Sequence, residues 1–121
     1  MKKLLIVEDN DDMILLYQRL FRKMKGEIEL STSDRGENAL KLIPQFKPDL
    51  MIIDISLPGI SGLELTRRVR KQYPAIKIII VTAHEESRYY DEAIRSGADD
   101  LVSKEIGKNL GDRCKWLLSL P

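Results

Sequence analysis

The sequence predicts an α/β fold in which five strands alternate with five helices and one parallel sheet is covered on both faces. Three observations predict it. Apolar runs recur at Leu4–Val7, Leu50–Ile53, Ile76–Val81 and, more weakly, Leu101–Val102, the continuous pattern of strands buried on both sides. The segments between them repeat apolar residues every three or four positions, the period of a helix with one buried face. Capping and turn residues fall at the junctions between the two patterns.

The elements follow in order. The first strand, Leu4–Val7, comes after Met1, Lys2 and Lys3, and it is too short for the apolar core of a secretory signal, which needs about 7–15 residues. Segment 11–25 places Met13, Leu16, Leu20 and Met24 at helical spacing, and Asp11 and Asp12 fall in its first turn, where the helix dipole favours negative charge. "EIELST" at 27–32 alternates polar and apolar residues, as an edge strand does. Segment 34–43 carries Ala39, Leu40 and Ile43, and Pro48 precedes the third strand. In 61–72, with Leu63, Leu65 and Val69, "SGLE" at 61–64 reads as a capping box: Ser61 accepts from the backbone of Glu64, and Glu64 reaches back. Pro74 precedes the fourth strand. Segment 85–96 offers Tyr89, Tyr90, Ala93 and Ile94, with Gly97 placed to close the helix. The last helix, 108–120, carries Leu110, Cys114, Leu117 and Leu118, and Gly107 and Gly111 weaken its start. Trp116 reads as core packing, with an exposed contact patch shared with Tyr89 or Tyr90 as the alternative.

Bulk properties narrow the function. The 121 residues suit one domain spanning 1–121. Apolar residues are 43% and charged residues 32%, with a formal net charge of +1, so nothing points to bulk attraction to nucleic acid or lipid. The single cysteine, Cys114, cannot form an internal disulfide, and no apolar stretch approaches the ~20 residues of a membrane span. A cytoplasmic protein is expected.

The chemistry gathers at the strand ends. Glu8 and Asp9 close the first strand, Asp54 the third and Thr82 the fourth, while the fifth leads to Lys104. In a right-handed parallel sheet these ends share one edge, the edge at which open α/β sheets bind ligands. Carboxylates that converge there repel unless a cation joins them. An all-oxygen ligand set at a rigid sheet edge suits Mg2+, which keeps several waters and leaves room for a phosphoryl oxygen.

These residues resemble the receiver domain of two-component response regulators. The resemblance covers essentially the whole chain: "IVEDN" at the first strand end, "PDLMIIDISLPGISGLEL" at 48–65, "IIIVTAHEE" at 78–86 and "SGADDLVSK" at 96–104. It implies a flavodoxin-like (βα)5 three-layer sandwich with strand order 2-1-3-4-5, which sets the first and third strands side by side and brings Glu8, Asp9 and Asp54 together. It also implies that Asp54 is the phosphoryl acceptor. Mg2+ would be held by Asp9, Asp54 and the Ser56 backbone carbonyl, with Glu8 acting mainly through a bound water. Lys104 would pair with the phosphoryl group, and the Thr82 hydroxyl and the Ala83 N–H would contact its oxygens. Ser56 and His84 read as tuners of phosphoryl lifetime. The implied phosphoryl source is a histidine kinase or phosphotransfer protein. The implied output is binding of a downstream protein or effector domain through the face of the fourth helix, fifth strand and fifth helix, a face that can also form a homodimer.

Two positions depart from the family. Leu101 stands where receivers usually carry Tyr or Phe, so the switch pair would be Thr82 with a side chain that lacks a polar tip. Glu105 follows Lys104 where Pro is frequent, often after a cis bond. A cis bond to a non-proline costs about 2.5–4 kcal/mol, so a trans bond is expected, or a strained cis bond held by the site. Leu101 leaves a non-switching interaction scaffold as the alternative function. A phosphohydrolase of similar topology lacks support, because Ser56 occupies the place of the second aspartate. A flavin site lacks a phosphate-cradling loop after the first strand. The chain is expected to act only on its own phosphoryl group and not as an enzyme.

Overall fold

The structure is a computed structural model that describes residues 1–24, 26–83, 86–103 and 107–121, with side chains described for all of these except 86–88 and 107–109. Strands and helices alternate throughout: β1 (Lys2–Val7), α1 (Asp11–Arg22), β2 (Ile28–Ser33), α2 (Gly36–Phe46), β3 (Leu50–Asp54), α3 (Gly62–Gln72), β4 (Lys77–Thr82), α4 (Glu86–Ser96), β5 (Asp100–Ser103) and α5 (Gly107–Leu117). The sheet is parallel in the order β2-β1-β3-β4-β5, the expected flavodoxin-like order.

Strand alternation divides the core into two layers. Leu5, Val7, Met51, Ile53, Ile78, Ile80 and Leu101 pack with Ala39 and Ile43 of α2, Leu65 and Val69 of α3, and Ala93 of α4. The intervening residues Leu4, Ile6, Leu50, Ile52, Ile79, Val81 and Val102 face Tyr17 and Phe21 of α1 and Leu110 and Cys114 of α5. Removing each of these large side chains from water is worth about 1.5–3 kcal/mol, which is why the strand runs are continuous rather than alternating.

α1 buries a different stripe from the one expected. Asn10 caps it, its side-chain oxygen accepting from Met13 N at 3.0 Å, with Asp11 and Asp12 in the first turn. Tyr17, Phe21 and Met24 are inside, whereas Leu16 is 53% exposed beside an exposed Leu15. Two aromatic rings bury more apolar area than two leucines, so the helix turns toward them. α2 runs past its expected end through Pro44 to Phe46. The proline lies in the last turn, where losing one ladder bond costs least. Lys47 then closes the helix in the left-handed region at φ 54, its N–H on the Ile43 carbonyl at 2.8 Å.

Half of the expected capping box forms. Ser61 Oγ accepts from Glu64 N at 3.1 Å, but Glu64 turns its two oxygens to Arg68 at 3.0 Å and Arg67 at 3.2 Å. Arg68 and then Arg67 hold the Glu64 carboxyl below the usual carboxylate range. These exposed pairs contribute little to stability.

Arg70 does more. Its Nε donates to the Gly97 carbonyl at 2.8 Å, and one terminal nitrogen donates to the carbonyls of Pro74 at 2.8 Å and Ile76 at 2.6 Å. The other bonds Asp99 at 3.0 Å, and Asp99 also accepts from Ile78 N at 2.8 Å. One planar guanidinium thus ties α3 to the turns before β4 and after α4. That second turn depends on Gly97, whose φ of 109 favours glycine. Arg70→Ala is expected to lower stability by about 2–4 kcal/mol, read as a urea midpoint shift, because it strips charged donors from three carbonyls at once. Arg70→Lys, with one compact ammonium, is expected to restore only part of the loss.

On the last layer, Trp116 corrects the sequence reading: it is 77% exposed, not packed in the core. Tyr90 and Ile94 of α4 are also exposed, while Tyr89 packs partly on the core. Arg113 of α5 pairs with Asp100 of β5 at 2.6 Å. Cys114 is fully buried, and burial pushes its thiol up to about 12. The folded state therefore holds this proton above pH 9, near which the thiol of an unfolded chain releases it. Stability is whole below that pH and is lost progressively as pH rises toward 12. Native protein at pH 8 is expected to leave Cys114 unmodified by a thiol reagent until denaturant is added, and a fast reaction without denaturant would contradict this burial.

Candidate functional site

β1 and β3 lie side by side with Val7 opposite Ile53. The next residue on each chain is an acid, so Glu8 and Asp54 occupy matching places at the sheet's C-terminal edge, and Asp9 follows. One carboxylate oxygen from each of Glu8, Asp9 and Asp54 lies within 4.8 Å of the other two. Two oxygens on one Mg2+ ion stand roughly 4.2 Å apart when opposite and about 3 Å apart when adjacent, so the three acids are near enough to share a small divalent cation once it draws them together. Glu8 is 1% and Asp54 3% exposed, while Asp9 is open to solvent. Two buried acids and one accessible acid thus meet as a cup at this edge, the accessible one facing solvent.

Backbone contacts fix the acids. Glu8 N donates to the Ser33 carbonyl at 2.9 Å, and the Glu8 carboxylate accepts from Asn10 N at 3.2 Å. Asp54 Oδ1 accepts from Ser56 N at 3.1 Å, which orients the carboxylate. The following loop folds back: Ile55 N reaches the Val81 carbonyl at 3.0 Å and Gly62 N the Ile55 carbonyl at 3.2 Å. The loop turns at Gly59, φ 73, and Ile60 lies directly over Gly36 of α2.

The other expected residues divide into two groups. Thr82 is buried at the end of β4, one strand beyond Asp54 and opposite Ser103, and Ala83 and Ser56 are exposed on the same edge. Leu101 is buried in the core layer under α4 and so fills the interior without an aromatic ring. Lys104, His84 and the Lys104–Glu105 bond lie outside the described residues. Asp11 and Asp12 stay out of the cup, in the first turn of α1.

One polar group near the cup escaped the sequence reading. Tyr17 is 3% exposed, and its hydroxyl has no hydrogen-bond partner among the described residues. Burial, then the charges of Glu8 and Asp54, push its ionisation far above the usual phenol range. Reading the α1 stripe through Met13, Tyr17, Phe21 and Met24 would have found it.

Comparison with known proteins agrees with this geometry. The chain is 35% identical over 107 residues to the response regulator GacA of Pseudomonas aeruginosa, covering 88% of this chain and 50% of GacA. It is 37% identical over 119 residues to the transcriptional regulatory protein AfsQ1 of Streptomyces coelicolor, covering 98% of this chain and 52% of that protein. It thus spans about half the length of the curated relatives it matches. Among solved structures, the response regulator TrrA of Thermotoga maritima in complex with Mg2+-BeF superposes with a TM-score of 0.84 at 34% identity, covering 97% of this chain and 99% of TrrA. Residues 4–111 match the response regulator receiver domain, and the chain belongs to that family, the phosphorylated signalling module of two-component systems.

Proposed function

We propose that Asp54 accepts the phosphoryl group in a cup where Glu8, Asp9, Asp54 and the Ser56 backbone carbonyl hold Mg2+. The observation that carries this is the meeting of three carboxylates from two strand ends within 4.8 Å. TrrA takes Mg2+-BeF, and beryllofluoride has the shape and charge of a phosphoryl group.

When bound, Mg2+ supplies the positive charge that lets one anion approach another. An Asp54 oxygen attacks phosphorus in line and forms a mixed anhydride, while the bond to the donor breaks and the donor leaves with the electron pair. The hydrogen bond from Ser56 N directs the carboxylate for this attack. The Thr82 hydroxyl and Ala83 N–H hold the transferred oxygens, and Lys104 pairs with them. Ser56 and His84 set how fast water reaches the anhydride. The protein is a signalling protein and not an enzyme acting on a substrate pool.

Receivers take their phosphoryl group from histidine kinases, so the upstream partner is a kinase or a phosphotransfer protein. We place residues 1–121 as one receiver unit working in the cytoplasm. Among the described residues no helix is long and apolar enough to cross a membrane. The exposed Tyr90, Ile94 and Trp116 favour α4, β5 and α5 as the output surface, toward a downstream protein, an effector domain or a second copy. The buried Leu101 favours a second reading, a scaffold that binds partners without switching.

A small acyl-phosphate donor separates the readings. One phosphoryl group, mapped to Asp54 and formed only with Mg2+, is the expected result. Modification elsewhere, or none, contradicts the proposal. Unchanged phosphoryl lifetimes in Ser56 and His84 variants would remove these two residues from it.

A further inference from the structure

The inference concerns the buried Tyr17 phenol and rests on the proposed cation cup. Strand alternation puts Ile6 and Glu8 on one side of the sheet, and Ile52 and Asp54 on the same side. Ile6 and Ile52 belong to the core layer of Tyr17, so the rows that Tyr17 covers end in the two buried acids of the cup. Helix side chains lean toward the N-terminus of their helix. α1 starts just after Asp9, so the ring of Tyr17 leans toward the acid edge. Glu8 and Asp54 are also the charges that most strongly hold its proton in place, and the hydroxyl stays neutral at any working pH.

A phenol in this place is costly unless it is used. Phe would fill the same volume without burying a hydroxyl that has no partner among the described residues. The carboxylates that end the rows it covers, Glu8 and Asp54, are the ones a cation would draw together. We infer that Tyr17 is a positioning residue of the cup: its hydroxyl is idle in the free protein and donates a hydrogen bond to the Glu8 carboxylate when a divalent cation is bound. Tyr17 itself touches neither the ion nor the phosphoryl group.

The test compares wild type with Tyr17→Phe, a variant that keeps the ring and the fold. Melting midpoints with and without MgCl2, together with calorimetric Mg2+ titration, read the cup without any phosphorylation. Without Mg2+, the variant is expected to melt at or above wild type. With saturating Mg2+, its stabilisation falls short, and it binds Mg2+ about tenfold more weakly, the scale of one lost hydrogen bond to a charged group. Equal Mg2+ affinity in the two proteins overturns the inference. So does a lower melting midpoint for the variant without Mg2+, because the phenol would then already have a partner in the free state. Failure of wild type to bind Mg2+ overturns the cup itself and this inference with it, a result distinct from equal binding by both.

Discussion

Asp54→Asn is expected to reduce phosphoryl incorporation to background while leaving the fold intact. Asparagine keeps an oxygen to accept from Ser56 N, which Asp54 does at 3.1 Å, but its amide cannot attack phosphorus to form the anhydride. The variant also removes one of three carboxylates crowded within 4.8 Å. Without Mg2+ it is therefore expected to be at least as stable as wild type, since close like charges in a buried cup repel. Two measurements check this: intact mass after incubation with an acyl-phosphate donor and Mg2+, and a urea midpoint in chelator. Undiminished phosphorylation of the variant would move the acceptor to another residue.

Gly62→Ala should have the second large effect, on both stability and chemistry. A methyl at residue 62 would overlap the Asp54 carbonyl oxygen and come 2.8 Å from Ile55 Cα. Backbone lies on the crowded side, so no side chain can swing away. Overpacking of this kind costs about 1–3 kcal/mol and exceeds the helix-propensity gain of at most ~1 kcal/mol. Relief requires α3 or the end of β3 to move, and the end of β3 carries the acceptor. Phosphorylation is expected to slow by a factor on the order of tens, since small misplacements of a nucleophile are expensive. Gly111→Ala is the contrasting control. There a methyl meets Leu20 at 3.8 Å and Met24 at 4.0 Å, which is ordinary contact. That substitution is expected to stabilise α5 by up to ~1 kcal/mol without altering phosphorylation. Equal urea midpoint shifts of the same sign in both variants would contradict this packing.

The sequence carried the architecture because the strand runs and the helix spacings are different periods, and both are strong here. The cup was legible only with the strand order, which the family resemblance provided. Nothing local to "IVEDN" says that Asp54 is its neighbour. The misreadings share a cause. The spacing of the α1 leucines runs through Leu16, but burial of Tyr17 and Phe21 turns the helix, and that spacing does not show the phenol on the cup's side of the sheet. Trp116 lies outside, as the exposed-patch alternative has it, because Leu110, Cys114 and Leu118 fill the inner face of α5. Glu64 left half of its capping box because two arginines compete for its carboxylate.

The central claim is that acids from two strand ends share one cation. It is tested most directly by titrating wild type and Asp9→Asn with Mn2+ and following paramagnetic broadening of the backbone amides. The account predicts that broadening centres on Glu8, Asp9 and Ile55, saturates at one ion per chain and is competed by Mg2+. Asp9→Asn should lose it. Broadening centred elsewhere, or persisting at full strength in Asp9→Asn, would contradict the account.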